Sequence, residues 1–366
     1  MGFAAMIKGL LWPWSHDAIL YEVTARCNLR CLHCYNVWKD AVGYATEELS
    51  TGRAVDLVRK AIRDSRCRHF TFTGGEPCLR DDREELVSAA QARGCAVNLI
   101  TNGTLLPEAR VQSLIAAGVG LFELPLNSAD RAMHNRLAGG IDSFDRVTRA
   151  AADIRYHGAR LAFVFVGTRH NIEHWKDTLE LGIALGAQGF LYNRYNAGGA
   201  CHGAPEELMP SVEQVAAGLA VAEEFAVQYG VGIGASIAIP PCLIDPKAYP
   251  HVGFGFCAAG TSRAYYTLDP MGNVRPCNHT PTVIGNLFRA SLKTIVQSST
   301  LAAFKAARPA FCAGCALERE CQGGCKAAAE ACYGDLSACE PFLQLNQARA
   351  HPLPRGGSTA ARAEGG

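Results

Sequence analysis

Thr24-Ala25-Arg26-Cys27-Asn28-Leu29-Arg30-Cys31-Leu32-His33-Cys34-Tyr35 carries three cysteines at the spacing Cys-x3-Cys-x2-Cys. Three thiolates on one short loop are one fewer than the four that usually close an iron–sulfur cluster. A cluster held this way keeps one iron without a protein ligand, and an open position is what separates a catalytic metal site from a structural one. On these residues alone a zinc knuckle or chance clustering is the alternative, because 16 cysteines in 366 residues bring some pairs close together.

Outward from this loop the chain alternates short apolar runs with longer amphipathic ones. Residues 19–24, 69–73, 96–101, 121–126, 161–166 and 189–195 read as strands. Between the first two, Val55, Val58, Ala61 and Ile62 recur at helical spacing behind Ser50 or Thr51 as a cap. A later helix is expected to start at Asn171 and stop at Gly186. His170 and His174 on its first turn read as surface residues, with no carboxylate partner to make a metal site. Six strand–helix units with right-handed crossovers predict an α/β fold, a partial (β/α)6 TIM-like barrel. The cysteine loop follows the first strand, at the carboxyl end where such folds collect their chemistry.

After Gly198-Gly199-Ala200 the pattern changes. Residues 211–229 read as one helix with Val215, Leu219, Ala222, Phe225 and Tyr229 on one side, and Ile239-Pro240-Pro241-Cys242 reads as an extended linker. From about residue 254 the chain is rich in cysteine and glycine and short of long periodic segments, as a metal-stapled α+β module is. The expected division is an N-terminal extension (1–17), a barrel (18–205), a bridging helix and linker (206–253), a cysteine-rich domain (254–345) and a disordered tail (346–366). Thirty-five basic against 34 acidic residues argue against a nucleic-acid groove or an acidic-lipid surface, and no apolar run is long enough for a transmembrane helix. Cysteines at ligand-like spacing in a chain of this length point to metal binding in a reducing cytoplasm.

Further motifs sit at the strand ends. Thr73-Gly74-Gly75-Glu76-Pro77 ends the second strand; its glycines admit a close backbone approach and the Glu76 carboxylate can accept from an ammonium group. Asn102 ends the third strand and Asn127 the fourth. In the second half come Cys257-x14-Gly272-x4-Cys277, then Cys312-x2-Cys315-x5-Cys321-x3-Cys325, then Cys339. Spacing of this length is far more specific than a lone Cys-x2-Cys pair, although such pairs also build zinc ribbons.

Taken together these motifs resemble the radical SAM enzymes that carry a C-terminal SPASM domain. The resemblance covers roughly residues 18–345. It implies that Cys27, Cys31 and Cys34 hold a [4Fe–4S] cluster whose open iron binds S-adenosylmethionine. Gly74, Gly75, Glu76, Asn102, Asn127 and Tyr35 would line the cosubstrate pocket, and His134-Asn135-Arg136 matches a structural helix entry. It further implies two auxiliary iron–sulfur clusters, of [4Fe–4S] type. One would be on Cys257, Cys277 and Cys325, the other on Cys312, Cys315, Cys321 and Cys339. Cys332 competes with Cys339 for the last position, and the first auxiliary cluster lacks a fourth cysteine. Cys67, Cys78, Cys95, Cys201 and Cys242 are left as buried thiols by default, the last two near domain junctions where they could face a substrate.

The implied reaction is one-electron cleavage of S-adenosylmethionine to a 5′-deoxyadenosyl radical that removes hydrogen from a substrate C–H bond. No residue stands out as the acid or base. Maturation of a ribosomally made peptide or of a protein side chain is the expected use, with tetrapyrrole side-chain processing as an alternative and a zinc- or cluster-stabilised scaffold as the non-enzyme reading. Sulfatase-maturing relatives carry an aspartate where this chain has Asn278, which cannot act as a base. Expected partners are an electron donor such as flavodoxin or ferredoxin, a precursor peptide and a separate leader-recognition protein.

Overall fold

The computed structural model describes residues 18–36, 47–199, 205–261 and 264–350. The expected N-terminal extension, most of the tail and Cys201 lie outside the described residues. Six parallel strands come first: β1 (Ala18–Glu22), β2 (His69–Thr73), β3 (Ala96–Ile100), β4 (Val119–Pro125), β5 (Arg160–Gly167) and β6 (Gly189–Arg194). Each pairs in parallel with the next. The strand β1 is buried along its whole length, as a parallel strand covered on both faces must be. Helices pack outside. In α1 (Thr51–Ser65) the buried face is Ala54, Leu57, Val58, Ala61 and Ile62, with Val55 only at its margin. Then come α2 (Arg83–Gln91), α3 (Glu108–Ala117), α4 (Arg131–Ala138), α5 (Ser143–Tyr156) and α6 (Trp175–Ala184).

The structure departs from the sequence reading in the segment taken for a bridge. The helix α7 (Val212–Tyr229) is there, closed by a capping box between Ser211 and Gln214, although Tyr229 is exposed. It is followed by two more parallel strands, β7 (Gly232–Ala235) on β6 and β8 (Val252–Phe254) on β7. These runs are too short and too glycine-rich for periodicity to reveal them. The supposed linker, residues 239–242, is a turn whose Ile239 and Pro240 are buried.

The cysteine-rich module joins the same sheet. Strand β9 (Tyr266–Leu268) pairs in parallel with β1, and β10 (Asn273–Arg275) and β11 (Gly285–Asn286) follow antiparallel. The full order is β11-β10-β9-β1-β2-β3-β4-β5-β6-β7-β8. Five short helices complete the module: α8 (Leu292–Ile295), α9 (Ser299–Ala306), α10 (Glu318–Cys321), α11 (Lys326–Tyr333) and α12 (Pro341–Leu345). A last turn at Gln347–Arg349 runs past the expected start of the tail, and Ala350 is buried.

One cavity of about 630 Å³ shows that the sheet curls into an open barrel, because Leu20, Thr71, Asn98, Glu123, Ala162, Leu191, Gly234 and Gly253, one from each of the eight parallel strands, all line it. The cavity reaches Cys257, Tyr265 and Asn278 of the second module.

Candidate functional site

The cysteine loop leaves the end of β1, and three neighbouring segments clasp it. Gly75 N–H donates to Thr24 O and Glu76 N–H to Arg26 O, each at 2.8 Å. A Cβ on Gly75 would lie 2.1 Å from Arg26 O, and one on Gly139, which ends α4 at φ +68°, would lie 2.4 Å from Arg30 O. Only glycine permits these approaches. Side chains finish the clasp. Asn28 Nδ2 donates to Thr104 Oγ1 at 2.9 Å, while Asn28 Oδ1 accepts from Asn102 Nδ2 at 2.8 Å. Arg26 pairs with Glu48 at 2.7 Å. The outcome is a loop with Cys27 exposed and Cys31 and Cys34 half-buried.

Glu76 sits differently from the sequence reading. Rather than standing open to an ammonium group, it is fully buried. Its Oε1 accepts from Cys78 N and Thr101 Oγ1 at 2.9 and 2.7 Å, and its Oε2 from Asn102 N at 2.7 Å. Burial raises its pKa against the opposing pull of those bonds. The carboxylate therefore bolts the end of β2 to the end of β3. Asn102 is engaged in turn, its Oδ1 accepting from Thr104 N and Oγ1.

Asn127 is buried, and its Oδ1 accepts from Val166 N. Its carbonyl accepts from Asn171 Nδ2 at 2.6 Å. Asn171, expected to cap a helix, makes no side-chain cap and ties the ends of β4 and β5 instead. His134 is buried, which lowers its pKa to about 4; it bridges Asn127 N–H and Ser143, a structural role as read. His174 is half-buried and bonds Ser128 Oγ at 2.9 Å, so only His170 of that pair is a surface residue.

Tyr35 points to the second module. Its hydroxyl accepts from Asn278 Nδ2 at 2.8 Å, and its ring stacks on His279 with centroids 4.0 Å apart. Asn36, which the sequence did not single out, donates to Gly74 O at 3.0 Å and so holds the glycine strand end against the cysteine loop.

In the second module the cysteines gather in two groups. Burial chiefly, and then the neighbouring Cys325 and Cys257, push up the Cys277 thiol; burial also leads the rise of Cys325 to about 11. Cys312, pushed up to about 12, has Cys321, Cys339, Cys242 and Cys315 around it. Cys339 adds to the rise at Cys312, whereas Cys332 packs on α11 against the hydrophobic core. Cys242 lies where the segment after the barrel meets the second module, lining a small cavity with Cys312, Cys315 and Cys321. Cys67, Cys78 and Cys95 are buried thiols in the core, as expected.

Among the described residues no three His, Cys, Asp or Glu side chains converge closely enough to hold a single metal ion; the all-cysteine donor sets are of the chemical kind that holds a larger iron–sulfur cluster. Crowded, dry thiols resist ionising on their own, and bound iron supplies the charge that makes them thiolates. The three-thiol loop sits in a glycine cradle at the carboxyl ends of the strands, and Tyr35 at its end touches Asn278 and His279, the two residues after Cys277.

Two buried ion pairs, neither flagged by the sequence, join the modules. Arg275 of β10 pairs with Glu22, the last residue of β1, and Arg194, the last of β6, with Glu340. Arg275 also donates to Thr280 O at 2.9 Å, and Arg194 to Ala238 O at 2.7 Å.

Comparison with known proteins agrees. The model of the radical SAM superfamily matches residues 21–182, and that of an iron–sulfur cluster-binding domain, SPASM, residues 257–316. The PqqA peptide cyclase of Xanthomonas campestris pv. campestris (strain 8004) is 31% identical over 343 residues, covering 91% of this chain and 88% of its own length. That of Rhizobium meliloti (strain 1021) is 31% identical over 335 residues, covering 88% and 86%. Among solved structures, Streptococcus suis SuiB bound to precursor peptide SuiA superposes with a TM-score of 0.68 at 16% identity, over 89% of this chain and 75% of that one. Native anSMEcpe with bound AdoMet gives 0.68 at 18%, over 91% and 95%. At such identities the solved structures speak for the fold alone.

Proposed function

The chain belongs to the radical SAM superfamily, and from that premise we propose that it matures a ribosomally made peptide, joining or oxidising side chains of that peptide. The observation that carries this reading is likeness along nearly the whole chain to enzymes named as peptide cyclases, through both the barrel and the second module. Superfamily membership sets aside the scaffold alternative, and nothing in the cavity favours a tetrapyrrole.

In this reading Cys27, Cys31 and Cys34 hold the first [4Fe–4S] cluster. Gly74, Gly75, Asn102, Asn127 and Tyr35 shape the strand-end pocket for S-adenosylmethionine, with Glu76 fixing two of its walls. Cys257, Cys277 and Cys325 hold one auxiliary cluster, and Cys312, Cys315, Cys321 and Cys339 the other. Bound there, cluster and cosubstrate supply a 5′-deoxyadenosyl radical able to take hydrogen from an unactivated C–H bond. The chain's own part is to position and to exclude. The cavity of about 630 Å³ offers room for a side chain between barrel and second module. None of the fifteen described cysteines is in a disulfide, and among the described residues no helix is long and apolar enough to cross a membrane. A small electron-transfer protein would feed the first cluster, and a separate leader-binding protein would deliver the peptide.

The test is an anaerobic incubation of the loaded enzyme with dithionite, S-adenosylmethionine and the peptide encoded beside its gene. The expected result is 5′-deoxyadenosine together with a peptide lighter by two hydrogens, both lost in Cys31→Ala. Deoxyadenosine formed while the peptide stays unchanged would overturn the substrate assignment.

A further inference from the structure

Asn196 lies two residues beyond the end of β6 and is 5% exposed. From the barrel it reaches into the second module, where its Nδ2 lies 3.3 Å from Cys325 Sγ and 3.2 Å from His279 Nδ1. An amide nitrogen has two protons, one for each of these neighbours. The flipped amide would set an oxygen against the sulfur, which is repulsive once that sulfur is a thiolate. Asn196 Oδ1 is itself buried without a hydrogen-bond partner, so it is the charge on the sulfur that favours turning the nitrogen toward Cys325. His279 extends the contact: it follows Cys277 by two residues, and its other face stacks on Tyr35, the residue after Cys34.

We propose that Asn196 is a positioning residue for the first auxiliary centre, donating an N–H to the Cys325 sulfur and linking that centre through His279 and Tyr35 to the cysteine loop. The inference rests on the cluster assignment made above. A hydrogen bond to a ligating sulfur draws negative charge away from the cluster and raises its reduction potential. Cys257, Cys277 and Cys325 supply only three thiolates, so the polar groups around them weigh more than they would around a fully cysteine-ligated cube. A centre whose potential is held up is the better acceptor for an electron leaving a substrate radical. The donor comes from the barrel, so the potential also depends on the two modules being docked.

The test is a redox titration, followed by electron paramagnetic resonance, of the full-length protein carrying all its clusters. Asn196→Ala should move the first auxiliary centre to lower potential. Asn196→Asp, similar in shape but with a negative charge facing the sulfur, should move it further, while the cluster on Cys27, Cys31 and Cys34 stays unmoved in both. Wild-type potential in both variants overturns the proposal. A variant-free measurement guards against a failure to fold: protein labelled with 15N at asparagine side-chain amides should show nitrogen hyperfine coupling at the reduced centre, kept in Asn278→Asp. No coupling, or its loss in Asn278→Asp, overturns the proposal as well. Iron and sulfide assays separate the premises, because wild-type protein lacking them defeats the cluster assignment, whereas loaded protein with unmoved potentials defeats only the role of Asn196.

Discussion

The barrel end and the cysteine-rich module solve the same problem, holding iron, by opposite means. At the barrel end three cysteines lie within eight residues, and the ends of β1, β2 and β3 together with α4 hold their loop from outside. In the second module the cysteines are spread from 257 to 339, over strands of two or three residues and helices of four to eight. The first site stands on a scaffold that forms by burying apolar strands. The second has short elements, shares the barrel's apolar core through residues such as Tyr266, Leu268, Val274, Leu287 and Ile295, and adds the ladder to β1, two buried ion pairs and its proposed ligands.

The largest expected effect follows from that contrast. Removing iron and sulfide should leave strands β1–β6 protected from amide exchange while protection across residues 257–345 collapses; uniform protection in both regions would break the comparison. Next comes the join. Arg275→Met removes the ion pair from buried Glu22 and should cost about 3–5 kcal/mol in chemical denaturation, most of it recovered in Glu22→Met/Arg275→Met. Failure of the double variant to recover would mean that Arg275's bonds to Asn278 O and Thr280 O matter more than the pair.

A smaller effect tests how dry the barrel is. Glu123 lines the cavity and, among the described residues, its carboxylate has no partner; burial raises its pKa from 4.5 to about 7. A carboxyl raised on folding contributes stability that is fully present below about pH 4.5 and is lost as pH rises through 7. Glu123→Gln should therefore be the more stable protein above pH 7, by at most about 3 kcal/mol, with the difference vanishing at low pH. Equal stability of the two at pH 8 would show the cavity to be open to solvent.

Much of this was legible in the sequence, for reasons that differ by region. The strands β1–β6 were readable because buried parallel strands are continuous apolar runs between helical periods. The strands β7 and β8 were not, being short, glycine-rich and dependent on an existing edge for pairing. The division of the later cysteines into two ligand groups came from the family resemblance, and neither it nor the spacing placed Cys242 beside Cys312 and Cys321, because the turn that carries it is set by tertiary packing. Glu76 looked like a ligand for an ammonium group; a pattern reports a carboxylate's position in the chain and not which way it turns. Asn196, Arg194 and Arg275 carried no signal, since their side-chain partners are 83 to 253 residues away.

The ladder between β1 and β9 has a consequence for how fast charge can travel. Tunnelling between redox groups falls off exponentially with separation, so a hinged pair of domains would make every transfer wait on a favourable swing. Here the strand that launches the cysteine loop is hydrogen-bonded to the first strand of the second module, so the two proposed cluster sites stand on one sheet rather than on two hinged bodies. Transfer between them would then have no domain swing to wait for.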